Sequence, residues 1–80
     1  MYFVYVLKSQ KDGRLYVGIS GNVERRLKEH NAGYQFSTKG YRPWSLFYQK
    51  CAPNRIAARK IEIYFKSGCG KENLKKIMPR

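Results

Sequence analysis

Two short runs rich in aromatic and β-branched residues, Tyr2 to Leu7 and Leu15 to Ile19, flank Lys11-Asp12-Gly13-Arg14. Asp-Gly between such runs is among the strongest short turn signals, so the amino terminus is predicted to form a β-hairpin. Everything after it must pack onto that hairpin, because the chain has only 80 residues. A domain near this size buries roughly 60% of the surface its unfolded chain exposes, which leaves room for one core. Residues 1–80 are read as a single domain.

Asn22 can cap a helix over about residues 23 to 31, with Glu24 in its first turn and Asn31 and Gly33 as its stop. Residues 32 to 43 read as a loop that carries positive charge and aromatics expected to be exposed. Trp44 to Gln49 returns to strand composition. Pro53 and Asn54 open a second helix, about 55 to 66, ended by Ser67-Gly68, and a final helix is expected over about 71 to 77. The order β-β-α-β-α-α predicts an α+β sandwich: a three-stranded, mostly antiparallel sheet whose one apolar face lies under the helices.

Charge narrows the function. Lys and Arg number 17 against 5 Asp and Glu, a formal net charge of +12. Such a surplus favours a polyanion, since each cation set against a phosphate releases condensed counterions. Nucleic acid is the leading partner. A membrane surface is the competing one, but the basic residues are spread along the chain instead of forming one amphipathic block. Aromatic content of 15% excludes a disordered basic tail. No run approaches the roughly 18 apolar residues of a membrane span, and the first residues do not read as a secretory signal, so a cytoplasmic protein is expected. Cys51, Cys69 and the single histidine, His30, cannot complete a four-ligand zinc site. The cysteines are expected to be reduced, buried and structural.

Advancing about 100° per residue, the first helix sets Val23, Arg26, Leu27 and His30 on one arc, and Glu24, Arg25, Lys28 and Glu29 on the other. Arg26 and His30 thus lean toward the core. They are either a snorkelling arginine and a satisfied histidine, or groups placed to hold a phosphate beside the sheet. On the second helix Ala57, Ala58, Ile61 and Phe65 form an apolar face with Glu62 at its border. Glu62 either pairs with Lys66 and Arg59 or binds a hard divalent cation. The other acids lie in a turn or on outer or terminal helix positions, which turns attention to Glu62. Tyr5 and Tyr16 sit on the two hairpin strands, where cross-strand packing is the ordinary role. A tyrosine beside Arg26, His30 and a metal ion would lose its proton more readily and could act as a general base.

Val4-Tyr5-Val6-Leu7-Lys8-Ser9, Tyr16-Val17-Gly18-Ile19-Ser20, Arg25 to Asn31, Ser37-Thr38-Lys39 with Arg42-Pro43, and Ala58 to Glu62 running into Lys66-Ser67-Gly68 recur in order and at family spacing. Over nearly its whole length the chain resembles the GIY-YIG nuclease superfamily, most closely its small stand-alone bacterial members, which are also similar to the amino-terminal domain of the excision-repair incision subunit. The resemblance implies that family's β-β-α-β-α-α core with a central three-stranded antiparallel sheet, and hydrolysis of phosphodiester bonds with Mg2+ or Mn2+. By resemblance, Tyr5 matches the tyrosine that serves as base, Tyr16 the one that binds or polarises the phosphate, and Arg26 the arginine that stabilises transition-state charge. His30 corresponds to a histidine found beside the first tyrosine in some members, and Glu62 matches the metal-binding glutamate. Phe3 and Val4 depart from the glycine and isoleucine of the first motif. Ile19 stands where some relatives have a lysine that activates the base, so His30 or the metal takes that task.

The expected activity is therefore endonucleolytic cleavage of DNA, with RNA left open, at branched, damaged or single-stranded regions in repair or recombination. Lys39 and Arg42 are expected to contact the substrate, together with the loop aromatics Tyr34, Phe36 and Tyr41, which could stack on bases. The alternatives are a catalytically inactive nucleic-acid-binding module on the same scaffold and a basic protein that docks on acidic partners. Oligomeric state is not readable from the sequence.

Overall fold

The computed structural model describes residues 1–76. In chain order the elements are β1 (Tyr2–Ser9), β2 (Leu15–Ser20), α1 (Val23–Ala32), α2 (Phe36–Lys39), β3 (Trp44–Ala52), α3 (Arg55–Lys66) and α4 (Gly68–Lys76). The sheet order is β2-β1-β3 and both pairings are antiparallel, so the α+β architecture matches the expectation. The hairpin turn places Gly13 at φ 79°, a conformation glycine adopts without a Cβ penalty. Ser9 fastens the turn by accepting hydrogen bonds at Oγ from the Lys11 and Asp12 amides.

Both long helices start where expected. Asn22 Oδ1 accepts from the Arg25 amide at 3.0 Å, and Asn54 Oδ1 from the Ala57 amide at 2.9 Å. Gly33, left-handed at φ 87°, ends α1. Asn31 then clasps the start of β3, donating to the Trp44 carbonyl at 2.9 Å and accepting from the Trp44 amide at 2.6 Å.

The sheet is covered on both faces, which corrects the single-faced expectation. Val4 and Val6 of β1 join Val17, Ala52, Ala58, Phe65 and Leu74 in one cluster under α3 and α4. Tyr5 and Leu7, on the other side of the pleat, join Val23 and Trp44, with Phe3, Tyr16, Leu27 and Tyr41 packed around them. The physical reason lies in β1. It is the central strand, and its near-continuous apolar run needs cover on both faces.

Three smaller corrections follow. The 32–43 segment contains the one-turn helix α2, too short to show periodicity. The last helix begins at Gly68 instead of near residue 71, and its expected end at 77 lies outside the described residues. Cys51 is exposed and free, not buried, because it falls on an outward position of edge strand β3; the Cys69 side chain lies outside the described residues. No helix of the described residues is long and apolar enough to cross a membrane.

Candidate active site

The centre is built on Tyr5, which is 1% exposed. Its cross-strand partner is Gly18, and the phenol lies over the bare backbone there. A Cβ on Gly18 would stand 2.5 Å from the Tyr5 hydroxyl oxygen, so the absent side chain is what lets the ring lie across β2. From that position Tyr5 Oη meets His30 Nε2 at 3.1 Å. The Arg26 guanidinium is directed at the same phenol oxygen.

Helix α1 delivers both partners from one face. His30 is fully buried and Arg26 half-buried, as the inner arc predicts. Arg26 Nη1 also donates to Glu29 Oε1 at 2.7 Å, which orients the guanidinium. Glu29 is thus half-buried and part of the site instead of an outer solvated charge. The Tyr16 ring packs edge-on against His30 with centroids 4.9 Å apart, and Gln35 Nε2 reaches its hydroxyl at 3.4 Å. His30 Nδ1 faces Thr38 Oγ1 at 2.9 Å.

Burial dominates the electrostatics of the centre. Burial pushes the Tyr5 phenol above its ordinary value, and the Arg26 guanidinium pulls it back only in part. Burial, aided by the Arg26 charge and opposed by Glu29, pushes His30 below its ordinary value. The imidazole is neutral near pH 7 and has one lone pair to offer.

Glu62 lies on the other side of the sheet. It shares the inward stripe of α3 with Ala58 and Phe65 and is 7% exposed. Its carboxylate pairs with Arg59 at 3.2 Å and Lys66 at 3.1 Å, the two ion pairs the ordinary reading anticipated. Stepping around the helix, Glu62 falls toward the flank of Arg55 and Arg59. Those arginines line a groove with Ile19 of the edge strand β2. Tyr5, Tyr16, Arg26 and His30 are gathered together, whereas Glu62 belongs to α3, which packs on the opposite face of the sheet. A hard divalent ion suits such a site. Magnesium keeps several waters and needs only one or two carboxylates, and the Arg59 and Lys66 side chains, 68% and 54% exposed, can swing into solvent. Among the described residues no group of three His, Cys, Asp or Glu side chains gathers for a protein-only cage.

Basic grooves flank the centre. One, of about 530 Å³, runs past Tyr2, Ile19 and Ser20 and is lined by Arg25, Arg26 and Arg55. Another, of about 480 Å³, lies between Lys11, Asn31, Lys39 and Arg42. Tyr34 and Phe36 are 80% and 94% exposed on either side of Gln35. Tyr41, expected beside them, is half-buried with the Arg14 guanidinium 3.7 Å above its ring, so one face of that ring is already taken. Sequence reasoning missed Thr38, Gln35 and Glu29 as members of the site. Thr38 carried a signal in Ser37-Thr38-Lys39, but only the fold shows what its hydroxyl meets.

The chain is similar to proteins of one family. The family model of the GIY-YIG catalytic domain matches residues 1–76. A UPF0213 protein of Bacillus licheniformis is 41% identical over 66 residues, covering 81% of this chain and 67% of the relative. One of Staphylococcus haemolyticus is 38% identical over 80 residues, 99% of this chain and 96% of the relative. The solution NMR structure of a UPF0213 protein from Bacillus halodurans superposes with a TM-score of 0.57 at 32% identity, covering 96% of this chain and 85% of that one. Matched over residues 1–76 and over nearly the full length of the Staphylococcus haemolyticus relative, the chain belongs to the GIY-YIG catalytic domain family.

Proposed function

We propose that the protein is an endonuclease that hydrolyses phosphodiester bonds in DNA with Mg2+ or Mn2+. The observation that carries this reading is the Tyr5 hydroxyl, flanked by a guanidinium and by the ring nitrogen of a neutral histidine. Tyr5 takes a proton from the attacking water while passing its own to His30 Nε2. The water oxygen bonds to phosphorus, the departing ester oxygen leaves with its electron pair, and solvent supplies that oxygen with a proton. Arg26 opposes the charge that builds on the phosphoryl oxygens, and Tyr16 positions the phosphate. Glu62 would hold the divalent ion, which when bound supplies Lewis-acid stabilisation of the same charge. The flanking arginine, lysine and aromatic side chains would give the strand its contacts.

A second reading has its own support. The Glu62 carboxylate is already neutralised by two cations, which suits a scaffold that binds nucleic acid without cutting it. Incubation with duplex, branched and single-stranded DNA and RNA, with each metal and with chelator, separates the two. Chelator-sensitive cleavage that is lost in Arg26→Ala and Glu62→Ala supports the enzyme. Binding without cleavage under every metal and substrate supports the inactive module.

A further inference from the structure

The contact between Tyr5 and His30 continues inward to a fully buried hydroxyl. Thr38 is 0% exposed, and α2 is anchored by the Trp44 indole, which donates to the Thr38 carbonyl at 2.9 Å. Thr38 Oγ1 lies 2.9 Å from His30 Nδ1 and 3.4 Å from the Gln35 carbonyl oxygen. A neutral imidazole donates from one nitrogen and accepts at the other, so two tautomers compete for this chain of contacts.

Only one satisfies every member. At the outer end the Tyr5 oxygen faces Arg26, whose guanidinium can only donate, so the phenol hydrogen needs the lone pair of His30 Nε2. Nδ1 then carries the ring hydrogen and donates it to Thr38 Oγ1. The Thr38 hydrogen in turn has the Gln35 carbonyl. The reverse tautomer would crowd Nε2–H, the Arg26 N–H groups and the phenol's own O–H around a single oxygen, and the last would have no acceptor among the side chains described around it. Burial makes such an orphaned donor costly.

We propose that Thr38 is a positioning residue for cleavage: by accepting from His30 Nδ1–H, it holds the imidazole in the tautomer whose Nε2 lone pair faces the Tyr5 hydroxyl. The effect on catalysis rests on the reading of Tyr5 as base and His30 as its proton acceptor; the tautomer itself does not. The chain has one histidine, so an imidazole nitrogen spectrum contains a single ring. Long-range proton–nitrogen NMR at pH 7.5 should show Nδ1 protonated and Nε2 bare. Thr38→Val removes the acceptor at nearly constant volume and should move the population toward Nε2–H, while Thr38→Ser should restore the native pattern. In cleavage assays Thr38→Val should lower kcat about tenfold or more with KM within about twofold, since a misplaced tautomer spoils proton transfer while binding is kept. Thr38→Ser should recover most of the rate.

A native spectrum with Nε2 protonated overturns the proposal even if Thr38→Val fails to fold. So does a folded Thr38→Val protein with unchanged tautomer and kcat. If the native tautomer is as stated and shifts in Thr38→Val, but the native protein cuts no substrate with any metal, the hold of Thr38 on the ring stands and the nuclease reading falls.

Discussion

The two faces of β1 are stabilised by opposite means. Toward α3 and α4 the strand presents Val4 and Val6 to an aliphatic cluster, where stability grows with apolar area and no single contact is required. Toward α1 and α2 it presents Tyr5 and Leu7, and around Tyr5 the buried groups are polar: His30, Thr38 and the half-buried Arg26. Polar groups away from water must be paired, so this face tolerates few arrangements and fixes one. A chain of this size can afford one such face because the other supplies area without demands on geometry.

That contrast can be broken most decisively at the polar face. Tyr5→Phe keeps the ring and removes the proton carrier, and Arg26→Ala removes the charge. We expect each to lower cleavage by about 10²- to 10⁴-fold while the protein stays folded by circular dichroism. Loss of helical signal instead of activity would show that the polar face is structural. Leu74→Ala, on the aliphatic side, should do the reverse. Leu74 is fully buried, so the change should cost about 3 kcal/mol in denaturant unfolding, with kcat unaltered below the melting midpoint.

Gly18→Ala tests the point where the strand pair and the polar site meet. The added methyl would stand 2.5 Å from the Tyr5 oxygen, so the ring must move, at a cost of about 1–3 kcal/mol and the loss of its contact with His30. A crystal structure or the His30 ring spectrum reads the displacement directly. The smallest expected effect is in pH. The folded protein holds His30 below its ordinary value near 6.5, so the unfolded chain binds the extra proton first. Stability should be unaffected by this group above about pH 6.5 and fall as pH drops through the window below it. His30→Phe should flatten that slope.

Much of this was legible in advance. Asn22 and Asn54 named their helices because capping is local, and Asp12-Gly13 named the hairpin because its turn needs a residue free to take positive φ. The inner arc of α1 placed Arg26 and His30 together. What stayed hidden depends on contacts between distant segments. The second buried face follows from β1 being central, which no local pattern states. The four-residue helix around Thr38 is held against Trp44, whose indole donates to the Thr38 carbonyl, and Tyr41 is half-buried because Arg14 and the second cluster close over it. Glu62 was legible as a border residue, but not as one carried by a helix on the face of the sheet opposite Tyr5.

The two bonds between Asn31 and Trp44 tie the segment that carries α2 at its root, so its ends are held whatever its crest does. Thr38, turned inward, belongs to the anchored part, and Tyr34 and Phe36 belong to the free crest. Exchange of those two aromatics, or a longer crest, would therefore change the surface the segment offers while leaving the contact of Thr38 with His30 in place.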